Sequence, residues 1–157
     1  MTLHFRFHPT ASIEHLNIRK EGSERDILAI DIKLAGDTTS TVLASILGCG
    51  KAQARNFWNV KSEEKAILFN GISKVLAWTE FDNCEVIIGE RKFKGARVRR
   101  FSFQPQPGMV IKLECQVTVS DIHDSDVSYL CEHIRDDINV TIGSHPDLFD
   151  SEDSKDD

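Results

Sequence analysis

Most of the chain alternates apolar and polar side chains with a period of two, the mark of strands with one buried face. Residues 2–9 begin the pattern, with Leu3, Phe5 and Phe7 against His4, Arg6 and His8, until Pro9 breaks it. Residues 13–20 and 27–34 predict a hairpin joined by a polar, Gly-containing loop. In its second arm Leu28, Ile30, Ile32 and Leu34 point to the core, while Asp31 and Lys33 face water. Gly36 and Asp37 are expected to close that strand. Thr38, Thr39 and Ser40 then offer N-caps to a short helix holding Val42, Leu43, Ile46 and Leu47, which Gly48 stops.

Residues 51–70 are less regular, with a charged connector at 61–65, a short apolar run at 66–69 that suits a strand, and Trp58 assigned to the core. A meander follows, with strands at 73–80, 84–90, 97–104 and 109–120 and turns at 81–83, Lys94-Gly95 and 105–108. Strand 109–120 has the strictest period: Ile111, Leu113, Cys115, Val117 and Val119 alternate with Lys112, Glu114, Gln116, Thr118 and Ser120. Asp124 or Ser125 caps a second helix carrying Val127, Leu130, Cys131 and Ile134, and a strand at 138–142 returns to the sheet. The expected fold is α+β and β-dominated, an antiparallel meander sheet or OB-like partly open barrel with two short helices. A single β-rich domain spans residues 1–146, and 147–157 form an acidic, disordered tail.

Composition adds bounds. A chain of 157 residues, 40% hydrophobic, suits one well-buried domain. It has no apolar run of membrane-spanning length, and its polar start does not suit a secretory signal, so a cytoplasmic protein is expected (the host cytoplasm, if phage-encoded). Cys49, Cys84, Cys115 and Cys131 form no Cys-x-x-Cys pair and fit core positions in a reducing compartment. Cys131 and His133, two apart on a helix, do not share a face for zinc.

The net charge of −6 is unevenly spread. Six acids against Lys155 give the tail −5, which leaves −1 for the other 146 residues. Against that background Arg91, Lys92, Lys94, Arg97, Arg99 and Arg100 concentrate six cations beside Glu90, interleaved with Phe93, Phe101 and Phe103. Cations can follow phosphates while aromatic faces stack on bases of any identity, so this stripe is the candidate nucleic-acid site. Phe93 is one candidate stacking residue, and Arg55 with Phe57 forms a second basic and aromatic spot. The plain alternative is a solvated hairpin face over core phenylalanines. Arg97, Arg99, Phe101 and Phe103 share parity, so either a bulge near Arg99-Arg100 switches the register or that face is half exposed and binds something.

Other chemistry is less well supported. The Gly48-Cys49-Gly50-Lys51 run lacks the order of a phosphate loop and follows a helix. The acids at 121, 124, 126, 132, 136 and 137 suit capping and solvated helix faces better than a metal nuclease. No nucleophile stands near a base and no metal-ligand spacing occurs, so a non-enzymatic chain without cofactor or metal is expected.

Asp-Ile-Lys-Leu, Phe-Asn-Gly, Ala-Trp-Thr and Arg-Phe-Ser-Phe-Gln-Pro-Gln-Pro-Gly before a long alternating strand together resemble small β-rich proteins of phage replication and recombination gene clusters. A basic β-domain with an acidic tail is similar in plan to single-stranded-DNA-binding proteins. Their tails usually end in an apolar or aromatic residue, whereas this one ends Lys155-Asp156-Asp157. The resemblance implies a single-stranded nucleic-acid-binding accessory protein; a homo-oligomer is expected, with the acidic tail a candidate peptide for recruiting a protein partner. The alternatives are a phage factor that inhibits a host nuclease or defence complex by protein contact, and a virion structural or accessory protein.

Overall fold

The strand with the strictest alternation lies in the middle of the sheet. In the computed structural model, which describes residues 3–24, 26–54, 58–59, 67–68, 74–108 and 110–144, β9 (Val110–Ser120) is flanked by β8 (Arg91–Gln106) and β3 (Ile27–Thr39). Ile111, Leu113, Cys115, Val117 and Val119 are all buried, as their period requires. β3 pairs with β9 without a register shift from Ala29–Ser120 to Thr39–Val110.

The remaining strands are β1 (His4–Arg6), β2 (Ala11–Glu21), β6 (Val75–Ala77), β7 (Phe81–Ile88), β10 (Asp137–Ile138) and β11 (Val140–Ser144). The antiparallel order is β1-β11-β7-β8-β9-β3-β2-β10, with β6 pairing to β8 beyond the end of β7. A separate ribbon joins β4 (Trp58–Asn59) to β5 (Ile67–Leu68). Only Asn139 separates β10 from β11, yet β10 pairs with β2 and β11 with β7. Residues 137–144 therefore reach both sides of the sheet and curl it into a partly open barrel. The N–H of Gly89 donates to the Asn139 carbonyl at 2.8 Å, and that of Phe7 donates to Val140 at 3.2 Å, fixing this corner.

The barrel interior is the core. Phe5 and Phe7 meet edge to face at 5.5 Å, Phe81 meets Phe101 the same way at 5.9 Å, and Phe101 stacks on Phe103 at 6.4 Å. Among the described residues, two helices and a single turn, α2 (Lys51–Ala54), complete the α+β fold. Helix α1 (Ser40–Leu47) buries Leu43, Ala44 and Ile46 and ends at Gly48, whose φ of 68° suits glycine. Helix α3 (Asp124–Glu132) buries Leu130 and carries Tyr129, whose hydroxyl accepts from the Glu90 N–H at 3.0 Å. Its N-cap is His123, ahead of both expected caps, Asp124 and Ser125, and the His123 N–H donates to the Asp126 carboxylate at 3.3 Å.

Several boundaries differ from the sequence reading, each for a local reason. Gly36 does not end β3, which runs on to Thr39. A Cβ there would lie 2.6 Å from the Phe7 ring and 3.0 Å from the Thr10 carbonyl oxygen, so the glycine serves a close crossing of chains. The β7–β8 turn is Gly89-Glu90, and Lys94-Gly95 lies within β8. Phe81 opens β7, so 81–83 is not a turn. Of the described residues of the expected strand 73–80, which are 74–80, three lie in the sheet, and the expected strand 138–142 is divided between β10 and β11.

Candidate functional site

Strand β8 presents its cations to one side because its ladder is bulged twice. Cys84 pairs with Ala96 and Val86 with Phe93, so Lys94 and Gly95 face Glu85 alone, and Gly95 takes φ 66°. Arg99 pairs with Gln116 and Ser102 with Glu114, so Arg100 and Phe101 oppose Cys115 alone, and Arg100 takes φ 57°. The second bulge reconciles the shared parity of Arg97, Arg99, Phe101 and Phe103: both phenylalanines are buried, while Arg97 is exposed and Arg99 half-buried. A third, on β7, sets Asp82 and Asn83 opposite Arg97.

Local partners divide the six cations. Arg91 lies at the strand end against α3, with Nη1 3.3 Å from Asp126 and its guanidinium 5.0 Å from the Tyr129 ring centroid. Lys92 meets Glu85 at 3.4 Å, and Arg97 meets Asp82 at 2.7 Å. Exposed pairs of this kind contribute about 0–1 kcal/mol and exchange readily, but they reduce the positive field of the stripe. Lys94 is exposed and has no partner among the described residues. Arg100 donates from Nη1 to the neutral Gln116 amide at 3.1 Å. Arg99 buries Nε without a hydrogen-bond partner among the described residues.

Phe93 is corrected from a stacking residue to a core residue: it is 3% exposed and offers no face to a ligand. Arg55 and Phe57 lie outside the described residues, as do the Trp58 side chain, the connector 61–65 and the tail 147–157.

The aromatic that the site presents is Trp78, 92% exposed, which sequence reasoning did not single out. β8 pairs with β7 as far as Val98–Phe81 and with β6 from Phe101–Ala77 onward. Between these pairs Trp78, Thr79 and Glu80 stand opposite Arg99 and Arg100, and the ladder is interrupted. The gap is a cleft of about 380 Å³ lined by Leu76, Ala77, Trp78, Glu80, Arg99, Arg100 and Phe101. Leu76, 62% exposed, extends its apolar rim. The available signal was the parity conflict at Arg99 and Arg100. Which segment lies opposite it is fixed by pairing across the sheet, which one strand's pattern does not reveal.

Beside the cleft, on the other side of Arg99, lies a polar hollow of about 550 Å³ reached by Arg19, Glu21, Asp82, Arg97, Thr118 and Ser120. Next to it Asp31 is the hub of a cross-strand cluster, not the simply solvated residue expected. It accepts from Arg19 Nε at 2.9 Å, Thr118 Oγ1 at 2.8 Å and Asn17 Nδ2 at 3.2 Å, while Arg19 also pairs with Glu21. Desolvation pushes the Asp31 carboxyl up, but hydrogen bonds from Arg19, Thr118 and Asn17 together outweigh it and hold the group below its usual range. The Arg19 guanidinium is raised in turn, chiefly by its hydrogen bond to Asp31.

Among the described residues no group of three or more His, Cys, Asp or Glu is placed to hold a metal ion, and no helix is long and apolar enough to cross a membrane. Compared with protein-family models, curated proteins and solved structures, the chain matches none. What the site can do follows from its chemistry. An exposed indole can stack on a planar π-system, and the exposed Arg100 guanidinium, held among the described residues only by the neutral Gln116 amide, can pair with an anion.

Proposed function

We propose that this chain binds single-stranded nucleic acid without catalysing a reaction, the strand crossing the outer face of β8 at the Trp78 cleft. The observation that carries the reading is the exposed Trp78 beside Arg99 and Arg100, where β8 has no ladder partner on that side. Lys94, Arg99 and Arg100 take the phosphates, while Lys92 and Arg97 add charge by exchanging Glu85 and Asp82 for the ligand. Duplex is disfavoured because its bases are already stacked on each other and cannot reach an indole. An accessory role in replication or recombination fits both this chemistry and the resemblance to phage proteins noted above.

The test is fluorescence anisotropy with labelled single-stranded DNA, single-stranded RNA and duplex over a range of salt. Three phosphate contacts on a single strand predict a slope of log K against log salt of about −2, and Arg99→Ala with Arg100→Ala reduces it by about 1.4. Salt-independent binding, or a slope the double variant leaves unchanged, overturns the reading.

The protein-partner reading is favoured by a different observation, the exposed Leu76 and Trp78 together on and beside a three-residue strand, since Trp is enriched at interface hot spots. It predicts no oligonucleotide binding and a co-purifying protein lost in Trp78→Ala.

A further inference from the structure

We infer that the Trp78 cleft takes one unstacked base and that the neighbouring nucleotides are held through their phosphates alone. The inference deepens the nucleic-acid reading and rests on it. Phe93, Phe101 and Phe103 on β8 are buried, Phe81 is 7% exposed, and Tyr129 is half-buried under Arg91. Trp78 is thus the one aromatic among the described residues with an open face on this side, and these residues supply no row of rings there for successive bases.

The cleft's composition suits a single base. Leu76, Ala77 and Phe101 supply apolar lining, and Phe101, 1% exposed, is held rigidly against Phe81 and Phe103. Arg99 and Arg100 stand on the β8 side, so the phosphate joined to the bound nucleotide meets their guanidinium groups as the base meets Trp78. Glu80, on the opposite side, repels a second phosphate and keeps the backbone over β8. Beyond the cleft the surface is polar, with Gln116, Asp31 and Lys33 beside Arg100, and offers hydrogen bonds and charge without a stacking face.

The experiment compares short oligonucleotides at low salt by anisotropy: one with every position abasic, one with a single central thymine, and one with thymine throughout. The expected result is weak binding of the abasic strand, a gain of about 5- to 150-fold from the single thymine, and little more from the full set. Trp78→Ala removes that gain and Trp78→Phe keeps most of it. Affinity that climbs stepwise with each added base, or a single-base gain that survives Trp78→Ala, overturns the one-base cleft and leaves nucleic-acid binding standing. If none of the three oligonucleotides binds, both fall.

Discussion

Asp31 shows how much of the outer face depends on one carboxylate. It sits on β3 between Asn17 and Arg19 of β2 and Thr118 of β9, so its removal leaves donors on two neighbouring strands unmatched. Asp31→Ala should lower stability by about 1–2 kcal/mol, the half-exposed Arg19 recovering part of its loss to water, as a reduced urea midpoint at unchanged slope. Because folding depresses this carboxyl, its contribution is complete above the ordinary value of 3.8 and fades as pH falls through the lower folded value. The gap between parent and Asp31→Asn should therefore be full at pH 6 and narrow steadily below pH 3.8. The cysteines give a signal of opposite sign. Burial, with Asp82 adding to it, raises Cys84 to about 11, and burial alone raises Cys115 to about 12. Unfolded thiols ionise near 9.0, so stability should decline as pH rises from there through 11 and 12. An alkylating reagent at pH 8 should modify exposed Cys131 first and half-buried Cys49 next, with Cys84 and Cys115 reacting only in denaturant.

Bulges are the elements that turn a sheet into a site. Arg100 adopts a backbone conformation that costs a side-chain-bearing residue about 1 kcal/mol, and glycine would adopt it freely. Arg100→Gly should therefore leave the fold as stable or raise it by up to about 1 kcal/mol in thermal or urea unfolding, while weakening oligonucleotide binding. A loss of both would mean that the Arg100 contact to Gln116 matters more to folding than to recognition. Gly95→Val should do the reverse at the other bulge, lowering stability by about 1–2 kcal/mol through forced strain at φ 66° while leaving the Trp78 cleft in place. Much of this was legible beforehand. The mismatch of Arg97 and Arg99 with Phe101 and Phe103 located a bulge to within two residues, and the strict period of 109–120 located β9 and its buried face. The β7–β8 turn was misplaced because Gly89-Glu90 and Lys94-Gly95 both carry turn chemistry, and only pairing with β7 decides between them. Trp78 escaped notice for the same reason: its significance is that it stands opposite Arg99 and Arg100, a relation set by tertiary register.

At the scale of the molecule, residues 137–144 connect what would otherwise be the two loose sides of the sheet. Ile138, Val140 and Ile142 are buried there, so the segment is held by core contacts as well as by its ladders. Ile142→Asp should abolish monomeric folding, and a chain cut after residue 136 should expose β2 and β7 as edges and self-associate, both detectable by sedimentation and by heparin- or salt-independent aggregation. The cut chain is expected to keep the local β2–β3 hairpin, whose partners are near in sequence. β1 has no such neighbour. It pairs with β11, so that Phe5 opposes Ile142 and the two halves of the contact lie more than 130 positions apart. On a ribosome, β1 leaves the exit tunnel more than 130 residues ahead of β11 and waits, apolar and unpaired, until β11 follows it. The curl of the sheet is therefore completed only once β11 has been translated, and during that interval Leu3, Phe5 and Phe7 are apolar side chains open to a chaperone.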